Sequence, residues 1–350
     1  MSPVATAASS TPTSTSTPSP STTPTGLIRG GYAVLVTSLN AAPYTLRLVD
    51  ITGQSLASAR AAGRSPIRLG SIGNSAPAVF MPTVSASATR AYYLDGDSAV
   101  RSLTVDGKTS LVTQIPGSAT VEAGFAVSPD NRRIAVSAIN YGVSPPALRL
   151  YVENLAGGGN HSELLASSSL YVWPVAWQGS SLILAVGPAT AQVGAPNPYD
   201  AINGYHLVDP ATANRLAAIC VPPATGQGVI SAIGSLCGGP NDGVFLQRWD
   251  GNRKPIQSDC RALSPSGTFA ACGGGNATAT TGPIWILTIS NGAGTPTGVS
   301  GWGPLGWVDD EHLIFAGGSS SDVRILDLKS GKATPVGQYL YIETRFGGSG

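Results

Sequence analysis

The stretch AVSPDNRRIAVS at residues 126–137 places two short apolar runs on either side of a polar turn. A second stretch of the same kind, ALSPSGTFAAC, occupies residues 262–272. Apolar and β-branched residues favour strands, whereas Pro, Asp, Asn, Ser and Gly favour turns. Each stretch therefore predicts two antiparallel strands joined by a tight turn. Recurrence of one strand-turn-strand phrase predicts a fold built by repeating a single unit.

The clearest complete unit spans residues 172–220 and contains four predicted strands, named a to d in chain order. Strand a covers residues 172–177, strand b 182–186, strand c 204–208 and strand d 215–220. The turn between strands c and d carries an acid where the apolar run stops, as at Asp50, Asp106, Asp209 and Asp327. Asp is a frequent turn former, so these acids are predicted first of all to shape turns.

Six complete units can be placed along the chain, and their starts lie near Ala78, Glu122, Tyr171, Gly228, Asp259 and Gly303. Residues 31–62 supply only strands b, c and d of a further unit, and residues 339–346 supply one more strand. Pairing these two ends completes the unit and removes open sheet edges. Because a spacing of roughly 40–50 residues is expected of propeller blades, the sequence predicts an all-β propeller of four-stranded antiparallel blades. We count seven blades, with six as the alternative.

Two segments carry a resemblance to a known family. They are SPDNRRIAV at residues 128–136 and WVDDEHLIF at residues 307–315, and they resemble the repeat of TolB-type, WD40-like bacterial β-propellers. The resemblance covers residues 30–346 as a repeat pattern. The family includes periplasmic and envelope proteins that bind other proteins, sensor-like ectodomains and propellers fused to serine peptidases. The resemblance therefore implies a fold, and it transfers no individual site residue.

Composition narrows the class of partner. Only 11% of the 350 residues are charged, and the formal net charge is +1. The chain has no run of Lys or Arg with which to bind a phosphate backbone, so we expect no nucleic-acid partner. The 44 Gly and 27 Pro residues suit short strands joined by many turns.

The two ends of the chain differ in composition from the rest. Residues 1–25 are almost entirely Ser, Thr, Pro and Ala, which predicts a disordered stalk or linker because such a segment buries little apolar surface. We expect one propeller domain over residues 26–346 and a flexible tail at 347–350. No signal-peptide pattern and no apolar stretch long enough to span a bilayer is present. We expect a secreted or surface-tethered protein whose signal or anchor lies outside this chain.

The four cysteines Cys220, Cys237, Cys260 and Cys272 lie in one third of the chain, without the spacing of a metal site. Cys260 and Cys272 flank the SPSG turn symmetrically, so a hairpin would bring them within disulfide reach. Cys220 and Cys237 would then form the second pair. Three connectivities are open from the sequence, and four buried thiols are the alternative. Disulfides would place the protein in an oxidising compartment.

The sequence lacks the motifs of serine hydrolases and of phosphate-binding loops. It has no Gly-x-Ser-x-Gly elbow of a serine hydrolase. The glycine runs at residues 157–159 and 273–275 lack the Lys-Ser/Thr that phosphate loops require. We therefore assign no catalytic residue and expect no cofactor.

Metal ligands are equally sparse. His161, His206 and His312 lack the spacing of a metal site. Asp95 and Asp97 offer two carboxylates to Ca²⁺, although an Asp-x-Asp in a hairpin is mostly a turn. We therefore predict no metal site, with this acid pair as the one calcium candidate.

Loop lengths supply the clue to binding. In a four-stranded meander the a–b and c–d turns share one face, and the b–c and d–a loops share the other. The second face has the longer loops, among them residues 187–203. Long loops on a rigid scaffold commonly carry binding sites. We therefore predict a contact surface on that face, with the candidate residues Asn140, Tyr141, Asn197, Tyr199 and Asp200.

These features favour an exported, non-enzymatic propeller that binds a protein or glycan at the cell envelope or outside the cell. Its low charge favours a polar, aromatic-assisted contact. One alternative is a carbohydrate-active lyase or hydrolase with a site in the axial channel, which requires clustered inward carboxylates of perturbed protonation. The other is an architectural subunit of a surface layer or filament, which requires self-association.

Overall fold

The computed structural model describes residues 31–37, 43–65, 81, 83–87, 89–188, 202–222, 225–239, 243–257, 259–275, 281–339 and 341–343. The described residues form 28 strands and contain no helix, hence none that is long and apolar enough to cross a membrane. The predicted stalk at residues 1–25 and the predicted tail at residues 347–350 lie outside the described residues.

The first fourteen strands in chain order are β1 (Ala33–Val36), β2 (Tyr44–Val49), β3 (Ser55–Ala61), β4 (Val84–Ala86), β5 (Arg90–Asp95), β6 (Ala99–Thr104), β7 (Thr109–Gln114), β8 (Val121–Val127), β9 (Arg133–Asn140), β10 (Ala147–Asn154), β11 (Ser162–Ser167), β12 (Leu170–Gln178), β13 (Ser181–Pro188) and β14 (Tyr205–Val208). The remaining fourteen are β15 (Arg215–Ile219), β16 (Thr225–Ser231), β17 (Gly234–Gly239), β18 (Gly243–Arg248), β19 (Arg253–Pro255), β20 (Cys260–Leu263), β21 (Phe269–Gly273), β22 (Gly282–Thr288), β23 (Gly294–Gly301), β24 (Gly303–Asp309), β25 (His312–Ala316), β26 (Asp322–Asp327), β27 (Ala333–Gln338) and β28 (Tyr341–Glu343).

These strands form seven antiparallel sheets of four strands each, which are the blades of a propeller. Blade 1 has the order β28-β1-β2-β3, and each following blade takes the next four strands in sequence. In blade 1 the last described strand, β28, pairs with the first described strand, β1, and the pairing aligns Val34 with Glu343 and Val36 with Tyr341. The predicted closure by both ends of the chain is confirmed, and the blade number is seven rather than six.

A buried serine closes the turn of the repeated phrase. Ser128 is 1% exposed and Ser264 is fully buried. Each serine hydroxyl accepts a hydrogen bond from the amide five residues further on, at 2.9 and 3.2 Å respectively. The fourth residue of each turn has a positive φ, 58° at Asn131 and 70° at Gly267, a conformation that Asn and Gly tolerate best. The serine and the positive-φ residue of the phrase therefore have the same structural roles in both copies.

The same phrase also joins one blade to the next. The indole Nε1 of Trp177 donates to the carbonyl of Ala126, and that of Trp307 donates to the carbonyl of Ala262, both at 3.2 Å. Each alanine opens one of the two quoted stretches and lies on the first strand of the preceding blade. The guanidinium of Arg133 stacks 4.6 Å from the ring centroid of Trp177. Each copy of the phrase thus supplies both a turn and an acceptor for its neighbour.

Both predicted disulfides are present. Cys260 and Cys272 are paired across β20 and β21 and join two strands of blade 6. Cys220, directly after β15, is bonded to Cys237 on β17 and so joins blade 4 to blade 5. All four residues are fully buried. One bridge therefore fastens a hairpin, and the other fastens two consecutive blades.

Replacing Ser128 with Ala should lower the free energy of unfolding by about 1–3 kcal/mol, because a buried amide loses its hydroxyl acceptor. Urea unfolding followed by tryptophan fluorescence measures the change. The matched control is Ser168→Ala, at an exposed serine on the β11–β12 connection, where a change within about 0.5 kcal/mol is expected. Equal effects of the two substitutions would show that the buried hydroxyl does not stabilise the turn.

Candidate binding face

The two ends of the propeller differ in their connections. The a–b and c–d turns define what we call the short-turn face, on which the longest connection is 155–161. The b–c and d–a connections define the long-loop face. It carries the three longest connections of the ring, 62–83, 189–204 and 274–281.

On the short-turn face, aspartate carboxylates accept hydrogen bonds from groups of their own turns. Asp50 Oδ1 accepts the amides of two following residues at 2.9 Å. Asp209 accepts the Ala211 amide and the Thr212 hydroxyl, and these hydrogen bonds lower its pKa. The Ser330 hydroxyl and nearby amides do the same for Asp327. These acids are turn formers, as predicted.

Two of the five predicted contact residues lie within the described residues. Asn140 ends β9, and its Oδ1 accepts the Gly142 amide at 2.8 Å. Tyr141 is only 5% exposed, so it supports the 141–146 loop from beneath, while Val143 on the same loop is 45% exposed. Asn197, Tyr199 and Asp200 lie outside the described residues. The contact role of all five residues stays a prediction.

Beneath the long-loop face lies a buried ion pair that the sequence did not reveal. Glu122, the second residue of β8, is 1% exposed, and its Oε1 lies 3.0 Å from Nη1 of Arg64. The same oxygen accepts the Met81 amide at 2.8 Å, while Arg64 Nη2 donates to the Met81 carbonyl at 2.7 Å. The Tyr141 hydroxyl donates to Oε2 at 3.4 Å. These contacts link the β3–β4 connection, which joins blade 1 to blade 2, to β8, the first strand of blade 3.

Burial governs the protonation of this glutamate. Loss of hydration raises the pKa of Glu122 above its ordinary value of 4.5, and the positive charge of Arg64 opposes that rise. The sequence signal for this buried glutamate was a single acid inside the apolar run VEAGFAV. Its partner lies 58 residues away, in a connection without periodic pattern. The carboxyl is enclosed by protein groups, an arrangement suited to holding the connection in place.

The calcium candidates Asp95 and Asp97 also anchor this connection. Asp95 Oδ1 accepts the Ala62 amide at 2.8 Å, and Oδ2 lies 2.7 Å from Nε of Arg101. Asp97 accepts the Ser65 amide at 2.6 Å and the Ser65 hydroxyl at 2.7 Å. Every oxygen of the two carboxylates thus contacts a protein group. The calcium hypothesis stays a prediction, and the observed task of the pair is to hold the segment that carries the arginine.

The histidines lie at different places in the fold. His161 contacts carboxylates of Glu153 at 3.2 Å and Glu163 at 3.6 Å, on the outer part of blade 3. His312 lies 2.7 Å from Asp309 within a turn of blade 7. His206 lies on β14, where burial lowers its pKa. The three histidines therefore lie on three different blades.

In the described residues, one group of side chains has potential metal-ligand atoms close to one another. It consists of Asp259, Cys260 and Cys272. The two sulfurs are bonded to each other, and the thiolate form is the one that binds metal. Disulfide formation therefore removes two of the three ligands.

A second feature of the long-loop face was missed by sequence reasoning. Trp302 forms the one-residue connection between β23 and β24 and is 40% exposed. Among the described residues it is the only aromatic in the set of exposed large apolar side chains; the others are Val105, Leu111, Val143 and Leu216. The sequence signal for this exposed tryptophan was its position between two glycines, Gly301 and Gly303.

A closed ring of seven four-stranded blades defines the protein as a seven-bladed β-propeller. No protein-family model matches the chain, and no curated protein matches it. Similar solved structures include the β-propeller domain of the Trilobed protease from Pyrococcus furiosus, with a TM-score of 0.48, 11% identity and coverage of 74% of this chain and 83% of that chain. A chain of the mitotic checkpoint complex has a TM-score of 0.47 and 12% identity, covering 77% of this chain and 80% of that chain.

Oligogalacturonate lyase in complex with manganese is a third similar structure, with a TM-score of 0.35 and 9% identity over 86% of this chain and 76% of that chain. All three matches have TM-scores below 0.5 and identities of 12% or less. The activities of these proteins are therefore not assigned to this chain.

Replacing Arg64 with Met leaves the Glu122 carboxylate buried without a charged partner. The free energy of unfolding near pH 7 should fall by about 3–5 kcal/mol. Adding Glu122→Gln removes the unpaired charge, so the double variant should recover part of the loss. Denaturant unfolding of the wild type, both single variants and the double variant measures the coupling.

The same set of variants tests the pH dependence. Burial raises the folded-state pKa of Glu122 above its ordinary value of 4.5 in the wild type, and loss of the opposing Arg64 charge should raise it further. A raised folded-state pKa contributes stability below the unfolded value, and this contribution is lost as the pH rises through the folded value. The destabilisation should thus be smallest near about pH 4 and grow toward neutral pH. Additive, pH-independent losses would show that the two side chains are not coupled.

Proposed function

We propose that the protein is an exported, non-enzymatic binding module of the TolB-like type, which contacts a protein or glycan through its long-loop face. The observation that carries the proposal is the difference between the two faces. The short-turn face has compact connections whose acids bind their own turns. The long-loop face has the longest connections and exposes Val143 and Trp302. Loops on a rigid scaffold are the usual place for binding.

Export is supported by the cysteines. All four described cysteines are in two buried disulfides, and such bridges persist in oxidising compartments. The Ser/Thr/Pro composition of residues 1–25 suits a stalk that displays the propeller away from an anchor. The partner is therefore expected at the cell envelope or outside the cell.

A binding role also fits the state of the acids. Burial raises the pKa of Glu122, and this carboxyl is closed off by Arg64, Met81 and Tyr141. A glycoside-cleaving site instead needs two carboxyl groups that flank a substrate. Among the described residues, the acids of the c–d turns face their own backbone amides. Low net charge favours a polar and aromatic contact over electrostatic capture.

The experiment is a pull-down from the envelope and culture fluid of the source organism with two loop variants. In one, the long-loop connection 189–204 is shortened to a glycine-containing turn. In the matched control, the short-turn connection 155–161 is shortened in the same way. A partner should be captured by the wild type and by the control, and lost from the long-loop variant. Capture that depends on 155–161, or no enrichment by any form, would contradict the proposal.

A further inference from the structure

The long-loop face holds an exposed indole on an unusually rigid support. The Trp302 amide donates to the carbonyls of Ala316 and Gly317 at 2.8 and 2.9 Å. Its own carbonyl accepts the Gly275 amide at 2.9 Å. The backbone of Trp302 is therefore bonded to blades 6 and 7 at once. Because this backbone is already held, binding at the side chain requires no ordering of the main chain.

Glycines keep the backbone around this indole tightly packed. A Cβ atom built on Gly274 would lie 2.5 Å from the Trp302 carbonyl oxygen, and one on Gly301 would lie 2.3 Å from the Ala316 carbonyl oxygen. Neither position accepts a larger residue without movement of the backbone. The indole thus stands beside closely packed main chain.

Polar side chains lie against two backbone neighbours of Trp302, namely Gly303 and Gly317. A Cβ built on Gly303 would lie 3.4 Å from Nη1 of Arg261, an exposed residue on β20. Within the described part of the chain Arg261 has no ion-pair partner. Gly317 lies against the Asp322–Arg324 ion pair. Asp322 Oδ2 also accepts the Gly318 amide at 2.9 Å, and Asp322 and Arg324 keep 21% and 42% of their side chains exposed.

We propose that Trp302, with Arg261, Asp322 and Arg324, forms a binding subsite for a hexopyranose unit of an oligosaccharide. The C–H-rich face of a pyranose packs on an aromatic ring. Each ring hydroxyl of the sugar can both donate and accept a hydrogen bond. These hydroxyls suit the guanidinium donors of Arg261 and Arg324 and the carboxylate acceptor of Asp322. This assignment rests on the proposed function and names the partner class for one part of the long-loop face.

The mixed polarity of the subsite decides against two other ligand classes. The Asp322–Arg324 pair is neutral, and Asp259 lies two residues from Arg261 on the same chain segment. A polyanion would require a cluster of unpaired cations. A lipid surface would require a larger apolar patch than a single indole. A neutral polyhydroxylated ligand uses donors and acceptors in equal measure.

The test uses the full chain and a panel of soluble oligosaccharides of glucose, galactose, mannose and N-acetylglucosamine, together with insoluble cell-wall polysaccharide. Binding is followed by tryptophan fluorescence and by co-sedimentation with the insoluble material. At least one panel member should bind the wild type. Trp302→Ala should weaken that binding at least tenfold, Arg261→Ala should weaken it several-fold, and Trp302→Tyr should restore part of it.

Leu111→Ala is the matched control, because Leu111 is an exposed apolar residue on the outer strand of blade 2, away from this face. It should bind as the wild type does, and thermal melting verifies that every variant is folded. Absence of binding to the whole panel by the wild type would overturn the assignment, as would wild-type binding by folded Trp302→Ala. If the pull-down yields a loop-dependent partner that Trp302→Ala also captures, the proposed function stands and the saccharide subsite falls.

Discussion

Pairing of the last strand with the first is the constraint on which the other features of this protein depend. The first described strand, β1, is the second strand of blade 1, and β28 supplies the inner strand of that blade. A row of blades would otherwise end in an open edge, which exposes unpaired backbone groups. Closure sets each blade against its neighbour, so that Trp177 and Trp307 meet the carbonyls of the preceding blade.

The fold could be predicted from the sequence because the pattern that specifies it is local and occurs in several blades. Ser128 and Ser264 perform the same hydrogen bonding in two blades, so the phrase is visible without any knowledge of contacts. Boundaries were less accurate where the phrase is weak. The second blade was expected to begin near Ala78, whereas β4 begins at Val84, and the start expected near Gly228 lies inside β16.

The candidate site was only partly predictable, because long-range contacts assemble it. Glu122 meets Arg64 across 58 residues, and Trp302 is held by Gly275 and Gly317 from two different blades. Nothing in the local pattern links these positions. The distinction between the two faces could be predicted, since it follows from connection lengths and from the up-and-down order of strands. Two independent features, buried charge and exposed indole, then distinguish the long-loop face.

Ring closure can be tested most directly by native-state hydrogen exchange in the full chain and in a chain ending at residue 339. In the full chain, the β1 amides should be protected to the same extent as those of the second strands of the other blades, such as β5 and β13, because β1 is hydrogen-bonded on both sides as they are. Truncation should remove that protection first from β1 and then lower the global stability. Rapid, edge-like exchange of β1 in the full chain, or unchanged exchange after truncation, would contradict a closed ring of seven blades.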